Sequence, residues 1–239
     1  MITSINNEKI KEYAKLNDKK YRDLSSLFIA PGEHLVEEAI EANLVKEIFI
    51  LDGEEKFEGT VVSENVMKKL SGLTSAPRVL AVVHKKENRI DDGNALILDG
   101  ISDPGNMGTI IRSAIAFGYK NIIISENSCD VYNLKCIRAS EGMIFKVNIY
   151  IGDIISKINE LKDKHYVIYG TDVVRGSKPA REENRHAIVI GSEAKGMRDE
   201  VKKECTKFLH IPMSDDCESL NAGVSASLLM YILGENVWN

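Results

Sequence analysis

The chain has 239 residues, 44% of them apolar and 28% charged, the balance of a globular domain large enough for an extensive α/β core with a small companion. With 31 Lys and Arg against 36 Asp and Glu, the net charge is −5, which argues against a bulk electrostatic nucleic-acid binder and leaves phosphate contact to a local patch. No run approaches the roughly 18 to 20 apolar residues of a membrane span, and residues 1–20 lack the apolar stretch of a secretory signal, so a cytoplasmic location and no membrane partner are expected.

Residues 1–86 alternate helical and strand patterns and read as a small α/β sandwich domain. Lys9 to Leu16 reads as a charged helix, Leu27-Phe28-Ile29 as a strand closed by Pro31-Gly32, and Glu33 to Ala42 as a helix with Leu35, Val36 and Ile40 on one face. A strand follows at Glu47 to Leu51, a helix at Val66 to Leu70 and an apolar strand at Val79 to Val83. Lys9, Lys11, Lys15, Lys19, Lys20 and Arg22 lie close together with Tyr13 and Tyr21 among them. They form either a solvated helix face or a patch for phosphates.

Residues 87–94 are polar and charged with an Asp-Gly step and no apolar period, and read as a linker. Residues 95–239 show short apolar strands alternating with helices, the pattern of a parallel sheet covered on both faces. The strands are Ala95 to Leu98, Asn121 to Ile124, Phe145 to Ile149, Tyr166 to Tyr169, Ala187 to Ile190 and Phe208 to Ile211. The helices are Met107 to Phe117, Ile154 to Leu161, Arg198 to Cys205 and Ser219 to Leu233. Cys129, Cys136, Cys205 and Cys217 form no CxxC pair and His34, His84, His165, His186 and His210 form no ligand cluster, so no metal is expected.

Three loops at the carboxyl edge of this sheet carry candidate chemistry. The first, Asp99 to Gly108, is a Gly- and Asp-rich turn running into a helix that carries Asn106 and Arg112. Arg112 is either a surface ion-pair residue or a bidentate phosphate ligand. The turn lacks GxGxxG spacing, which weakens a dinucleotide-binding reading. The second, Gly191-Ser192-Glu193-Ala194-Lys195-Gly196-Met197, sets small residues on either side of Glu193, either as a plain turn or to let backbone approach a ligand. The third, Ile211 to Ser227, is a polar loop entering a helix rich in small residues. Ser219 there could be an N-cap, and Asn221 in the first turn is a poor helix former that needs another reason to be present.

Taken in order, these loops resemble the three signature motifs of the SpoU/TrmH family of RNA ribose 2′-O-methyltransferases. The first motif is matched by Asp103-Pro104-Gly105-Asn106-Met107-Gly108, Arg112 and Ala116-Phe117-Gly118. The second is matched by Gly191 to Met197, and the third by Ile211-Pro212-Met213 with Ser219-Leu220-Asn221. Lys135 to Gly142 with Phe145 is similar to the family's segment between motifs, and Lys20-Tyr21-Arg22, Leu27-Phe28-Ile29 and Leu35 to Ala39 resemble an RNA-binding domain related to a ribosomal-protein fold. The chain departs from the pattern at Ser192, Ala194, Asp215, Ala222-Gly223 and Pro31.

The resemblance implies a trefoil-knotted parallel-sheet (SPOUT) catalytic domain over residues 95–239, preceded by an RNA substrate-binding domain over residues 1–86. It implies S-adenosylmethionine bound by Gly191, Ser192, Glu193, Gly196, Ile211, Met213, Ser219, Leu220 and Asn221. Arg112, Asn106, Glu193, Ser219 and Asn221 would be catalytic, with Asn106 orienting Arg112 and the ribose. Lys9, Lys15, Lys19, Lys20, Arg22, Arg112 and Arg138 would contact RNA, ribosomal RNA in preference to transfer RNA. A homodimer through the knot region is also implied, with the helix from Leu220 to Leu233 at the interface. A base methyltransferase of the same fold, a catalytically silent RNA-binding or ribosome-assembly protein and a nicotinamide-dependent dehydrogenase are the rival readings.

Overall fold

The computed structural model describes residues 1–173 and 176–234, and the chain divides into two compact units. The first comprises Met1–Lys86 together with Asp130–Phe145; the second takes Glu87–Cys129 and the chain from Lys146 onward.

In the first unit, Asn7 caps α1 (Glu8–Ala14) by accepting from the Lys9 and Ile10 amides. The single helix expected to reach Leu16 instead ends at Ala14 and tightens into a 3-10 turn over Lys15–Asn17. The extended backbone of Asp18 then restarts the chain as α2 (Lys19–Ser25), an element the sequence pattern did not reveal. β1 (Leu27–Pro31), α3 (Glu33–Glu41), β2 (Val45–Leu51), β3 (Thr60–Val62), α4 (Glu64–Ser71) and β4 (Val79–His84) follow. The strands form one sheet in the order β1-β4-β2-β3, with β4 antiparallel to both of its neighbours and β3 parallel to β2.

Side-chain alternation along these strands builds two apolar layers. Leu27 and Ile29 of β1, Phe49 of β2 and Leu80 and Val82 of β4 pack with Ile10, Tyr13 and Leu16 and with Val66, Met67 and Leu70 of α4. On the other face α3 buries Leu35, Val36 and Ala39. Ile40, expected on that stripe, is 47% exposed, because Ala39 stands a turn below Leu35 and takes the inward position. Phe28 points to the same face and packs against Tyr132 and Phe145, with ring centroids 5.0 and 6.0 Å away. Those two rings come from Asp130–Phe145, which contains α6 (Leu134–Ala139). Each fully buried side chain of this size contributes about 1.5–3 kcal/mol.

Arg22 ties the same segment down. It is 5% exposed, and its Nε and Nη2 donate to Asp130 Oδ2 at 3.1 and 2.5 Å while Nη1 donates to the Leu16 carbonyl at 2.6 Å.

The second unit is a six-stranded parallel sheet in the order β10-β8-β9-β5-β6-β7. Its strands are β5 (Ala95–Asp99), β6 (Asn121–Ser125), β7 (Asn148–Gly152), β8 (Val167–Thr171), β9 (His186–Gly191) and β10 (Lys207–Leu209). Its helices are α5 (Pro104–Ala116), α7 (Ile154–Asp163), α8 (Asp199–Glu204) and α9 (Ala222–Leu233). β5 and β6 are buried along their whole length and β9 over all but its last residue, which is why they read as unbroken apolar runs. The strand expected from Phe145 begins later, at Asn148, because Met143–Phe145 forms a 3-10 turn. Residues 87–94 hold no helix or strand, but both polar atoms of the Asn88 amide pair with the Ile151 backbone at 2.7 and 3.2 Å. Below the carboxyl edge, wholly buried His186 lies between Tyr119 Oη (2.5 Å from Nε2) and the Asn184 carbonyl (2.9 Å from Nδ1). Those partners assign the ring proton to Nδ1 and make this a core histidine.

The Arg22–Asp130 pair predicts its own perturbation. Arg22→Ala leaves Asp130 without its guanidinium in a site where that carboxylate is 11% exposed, and is expected to destabilise the first unit by about 3 kcal/mol, read from the urea unfolding midpoint.

Candidate active site

The sheet order reverses at β5 and β9. From β5 the chain runs outward to β6 and β7, then returns to build β8, β9 and β10 on the other side. β5 and β9 are paired to their ends, with Asp99 opposite Gly191, so the loops leaving them start side by side at the switch point where open α/β sheets bind ligands. The third loop leaves β10 at the sheet edge and returns over residues 210–221 to α9, which packs against α5 and β9.

These three loops meet in one hydrogen-bonded chain. Glu193 Oε2 accepts from the Ser102 amide at 3.2 Å and the Ser102 hydroxyl at 3.0 Å. Glu193 Oε1 accepts from Asn106 Nδ2 at 2.8 Å, and Asn106 Oδ1 accepts from Asn221 Nδ2 at 2.9 Å. Asn221 Oδ1 in turn accepts from the Gly223 and Val224 amides at 2.9 and 3.3 Å, so Asn221 is the N-cap of α9. That explains the poor helix former at this position and corrects the expectation that Ser219 caps the helix: the helix begins three residues later, and Ser219 is exposed in the loop. Asp103 caps α5 by accepting from the Asn106 amide, with Pro104 in its first turn, which fixes where Asn106 stands.

The expected pairing of Asn106 with Arg112 is not what the structure holds. Six residues advance an α-helix by about 600°, which leaves the two side chains roughly 120° apart, and both ends of the Asn106 amide are taken by Glu193 and Asn221. Arg112 is exposed, and among the described residues it has no ion-pair partner.

Gly191 makes the second loop possible. A Cβ there would lie 2.2 Å from the Met197 nitrogen and 2.3 Å from the Gly196 carbonyl carbon. The close approach foreseen between this loop and a ligand is therefore, at Gly191, an approach of the loop to itself. Ser192 and Gly196 exchange backbone hydrogen bonds at 3.1 and 2.9 Å across the turn, with Gly196 at φ 68°. Sequence reading missed the bond that anchors the far end. Asp99, wholly buried at the end of β5, accepts from Arg198 N and Nε at 2.8 and 2.7 Å. A carboxylate in an apolar strand run was the available signal.

Between the second and third loops lies a cavity of about 540 Å³. Its lining includes Gly191, Ser192, Glu193, Gly196, Ile211, Met213, Ser219 and Leu220 from the expected cofactor set; Asn221 lies at its edge, capping the helix whose Ala222 lines it. That volume lies in the range of pockets for small organic ligands, and it offers apolar walls (Ile190, Leu209, Leu229) beside backbone and hydroxyl groups. Such a donor set fits a nucleoside joined to an amino acid.

Glu193 titrates below the ordinary glutamate value. Burial pushes it up, but the donors from Asn106, its own amide and Ser102 outweigh that and hold the carboxylate. A carboxyl depressed in the folded state stabilises above its unfolded pKa, about 4.3, and that contribution disappears as the pH falls through the folded value. Glu193→Gln is therefore expected to lower stability at pH 7, with the gap to the native chain closing between pH 4 and the acid transition, measured by urea unfolding across that range.

The cationic residues of the first unit divide by their surroundings. Lys9 pairs with Glu47 at 2.5 Å and Lys19 with Asp23 at 2.6 Å, while the Lys15 and Lys20 ammonium groups lie 5.4 and 5.9 Å from the Tyr21 ring centre. Arg138 is exposed on α6, in the first unit. Arg22 is corrected: buried against Asp130, its guanidinium has no free face for a phosphate. Among the described residues, no group of three or more His, Cys, Asp or Glu could hold a metal, and no helix is long and apolar enough to cross a membrane.

The SpoU rRNA Methylase family model matches residues 93–231, and the MRM3-like substrate binding domain model matches residues 7–81. The chain is 30% identical over 243 aligned positions to the 23S rRNA (guanosine(2553)-2′-O)-methyltransferase RlmP of Bacillus subtilis (strain 168), covering 97% of this chain and 98% of that one. A crystal structure of an RNA 2′-O ribose methyltransferase superposes with a TM-score of 0.80 at 27% identity over 96% of both chains. The AdoMet-bound rRNA methyltransferase of Sinorhizobium meliloti shares the fold, with a TM-score of 0.85 at 23% identity over 96% of this chain and 95% of that one. With a family model matching more than half of its length and a relative aligned from end to end, this chain belongs to the SpoU rRNA methylase family.

Proposed function

We propose that this protein transfers a methyl group from S-adenosylmethionine to a ribose 2′-hydroxyl of ribosomal RNA. The observation that carries the reading is the chain Ser102–Glu193–Asn106–Asn221, which ties the first loop to the second and third, the two loops that line a cavity of about 540 Å³. Family membership and the 2′-O-methyltransferase named among its relatives supply the reaction. The ribosomal RNA named for the Bacillus subtilis relative favours that substrate over transfer RNA. Catalysis on RNA is consistent with a cytoplasmic protein.

S-adenosylmethionine, when bound, brings a methyl group made electrophilic by its sulfonium. The cavity lining from Gly191 to Gly196 and from Ile211 to Leu220 would hold it. The chain's own work is to place a ribose oxygen and to withdraw its proton. An arginine stays protonated and is no base. Exposed and without an ion-pair partner among the described residues, Arg112 would clamp the neighbouring phosphate and stabilise the developing alkoxide, with the proton leaving through phosphate or water. Each of the Asn106 and Asn221 amides spends one N–H within the chain and keeps a second for the ribose.

Residues 1–86 would act as the RNA substrate-binding domain and 95–239 as the catalytic domain, joined through 87–94 and threaded as a trefoil knot. Lys15 and Lys20 beside Tyr21, with Lys9, Lys19 and Arg138, would meet the RNA backbone. A homodimer would form on α9, where Val224, Leu228 and Tyr231 are 47, 38 and 62% exposed at positions i, i+4 and i+7 of one face.

Two experiments follow. Arg112→Ala and Arg112→Lys should each lower methyl transfer to total RNA from a strain lacking the gene by about a hundredfold or more, and RNA carrying 2′-deoxyribose at the mapped site should accept none. Near-normal turnover in both variants removes Arg112 from the chemistry, and methylation of the deoxy substrate makes this a base methyltransferase. Leu228→Glu with Tyr231→Glu should shift the sedimentation coefficient from dimer to monomer; an unchanged value places the interface elsewhere.

A further inference from the structure

Ser102 lies outside the residues that carry the family resemblance. It precedes the cap of α5, and its side chain is exposed, so packing does not explain its placement. Both its backbone amide and its hydroxyl nevertheless converge on one atom, Glu193 Oε2, at 3.2 and 3.0 Å. We propose that Ser102 is a positioning residue for methyl transfer, which acts by fixing the Glu193 carboxylate and through it the Asn106 and Asn221 amides.

A carboxylate held at one oxygen only can rotate about its last bond. Two donors on Oε2 from a rigid turn and one on Oε1 from Asn106 set its plane. That plane determines where Asn106 presents its amide, and Asn106 determines where Asn221 presents its own. The Ser102 hydroxyl is the one donor to Oε2 that a side-chain substitution can remove while the backbone amide stays. Around the same cavity the charged groups are Lys195 on the Glu193 loop, Lys202 on α8, Asp172 after β8 and Glu218 in the third loop, with Asp103 at the start of α5. None of these is among the causes of the low Glu193 pKa, which are burial against it and the bonds from Asn106, from its own amide and from Ser102 for it. Removing the Ser102 hydroxyl therefore raises the pKa of this carboxyl as well as loosening it.

The inference rests on the methyltransfer reading, and the test separates the two. Ser102→Ala and Ser102→Thr are compared with the native chain in methyl transfer to total RNA from a strain lacking the gene, in calorimetric binding of S-adenosylmethionine, and in a carbon-13 NMR titration of the Glu193 carboxyl without RNA. Ser102→Ala should lower kcat about tenfold, leave cofactor affinity unchanged and move the acid limb of the kcat profile and the Glu193 titration toward higher pH. Ser102→Thr, which keeps the hydroxyl, should restore all three. Native kcat and an unmoved acid limb in Ser102→Ala overturn the proposal, as does a threonine variant that behaves like the alanine one. Should the native chain methylate no ribose, the reaction assignment fails by itself. The NMR titration still decides the coupling: an equal Glu193 pKa in the native and alanine proteins ends the Ser102 inference.

Discussion

An ionised carboxylate and the free amides of a helix N-terminus cannot exchange roles: the first only accepts hydrogen bonds and the second only donate. Glu193 and the first turn of α9 stand at the two ends of a chain in which the Asn106 and Asn221 side chains are the links. Each asparagine amide has a donor end and an acceptor end, so both orientations are dictated from outside. Asn106 must turn its NH2 to Glu193 and its oxygen to Asn221, and Asn221 must turn its oxygen to α9. The hydrogen atoms left over are then presented to whatever enters from solvent. Neutral links between fixed ends provide an orientation that neither asparagine could hold alone.

This arrangement depends on the parallel sheet. Only at the switch between β5 and β9 do two loops leave adjacent strand ends in divergent directions. Asp99 at the tip of β5 holds Arg198 beyond the second loop, and Gly191 lets that loop fold back on itself, so Glu193 is presented from a closed turn. The third side comes from α9, whose small residues let it lie close to α5: the Ser227 hydroxyl is 2.7 Å from that of Ser113. Ala222-Gly223, one of the departures from the family pattern, begins this helix. A Cβ at position 223 would stand 3.2 Å from Asn221 Oδ1, so a residue without a side chain suits the cap.

The first unit shows how a net-negative chain organises its cations. Of the six basic residues from Lys9 to Arg22, one is consumed by a buried ion pair, three lie in exposed ion pairs and two flank an aromatic ring. Exposed pairs exchange readily for phosphate because they contribute little, about 0.2–1 kcal/mol. The buried one does not, and it serves the packing of Asp130–Phe145 instead.

Much of this was legible in the order of residues. The apolar runs marked the central strands β5, β6 and β9, because strands covered on both faces need no polar alternation; the half-exposed edge strand β7 lacks such a run and was read three residues early. The start of α5 was read at Met107, three residues late, although the capping carboxylate of Asp103 and the fixed φ of Pro104 set it at Pro104; the loops holding Asn106, Glu193 and Asn221 were singled out by glycines and polar residues at strand ends. What the sequence could not supply were partners. Arg22 and Lys20 look alike in a basic run, yet one is buried because a carboxylate 108 positions later reaches it. Asn106 and Arg112 share a helix, yet helical rotation parts them and the true neighbours of Asn106 lie 87 and 115 positions away. Ser102 carries no local signal at all, since its meaning comes from Glu193. Composition and periodicity are properties of neighbours along the chain and fix the elements and their exposed ends; hydrogen-bond partnership is a property of neighbours in space, and only the folded sheet, by bringing strand ends together, decides it.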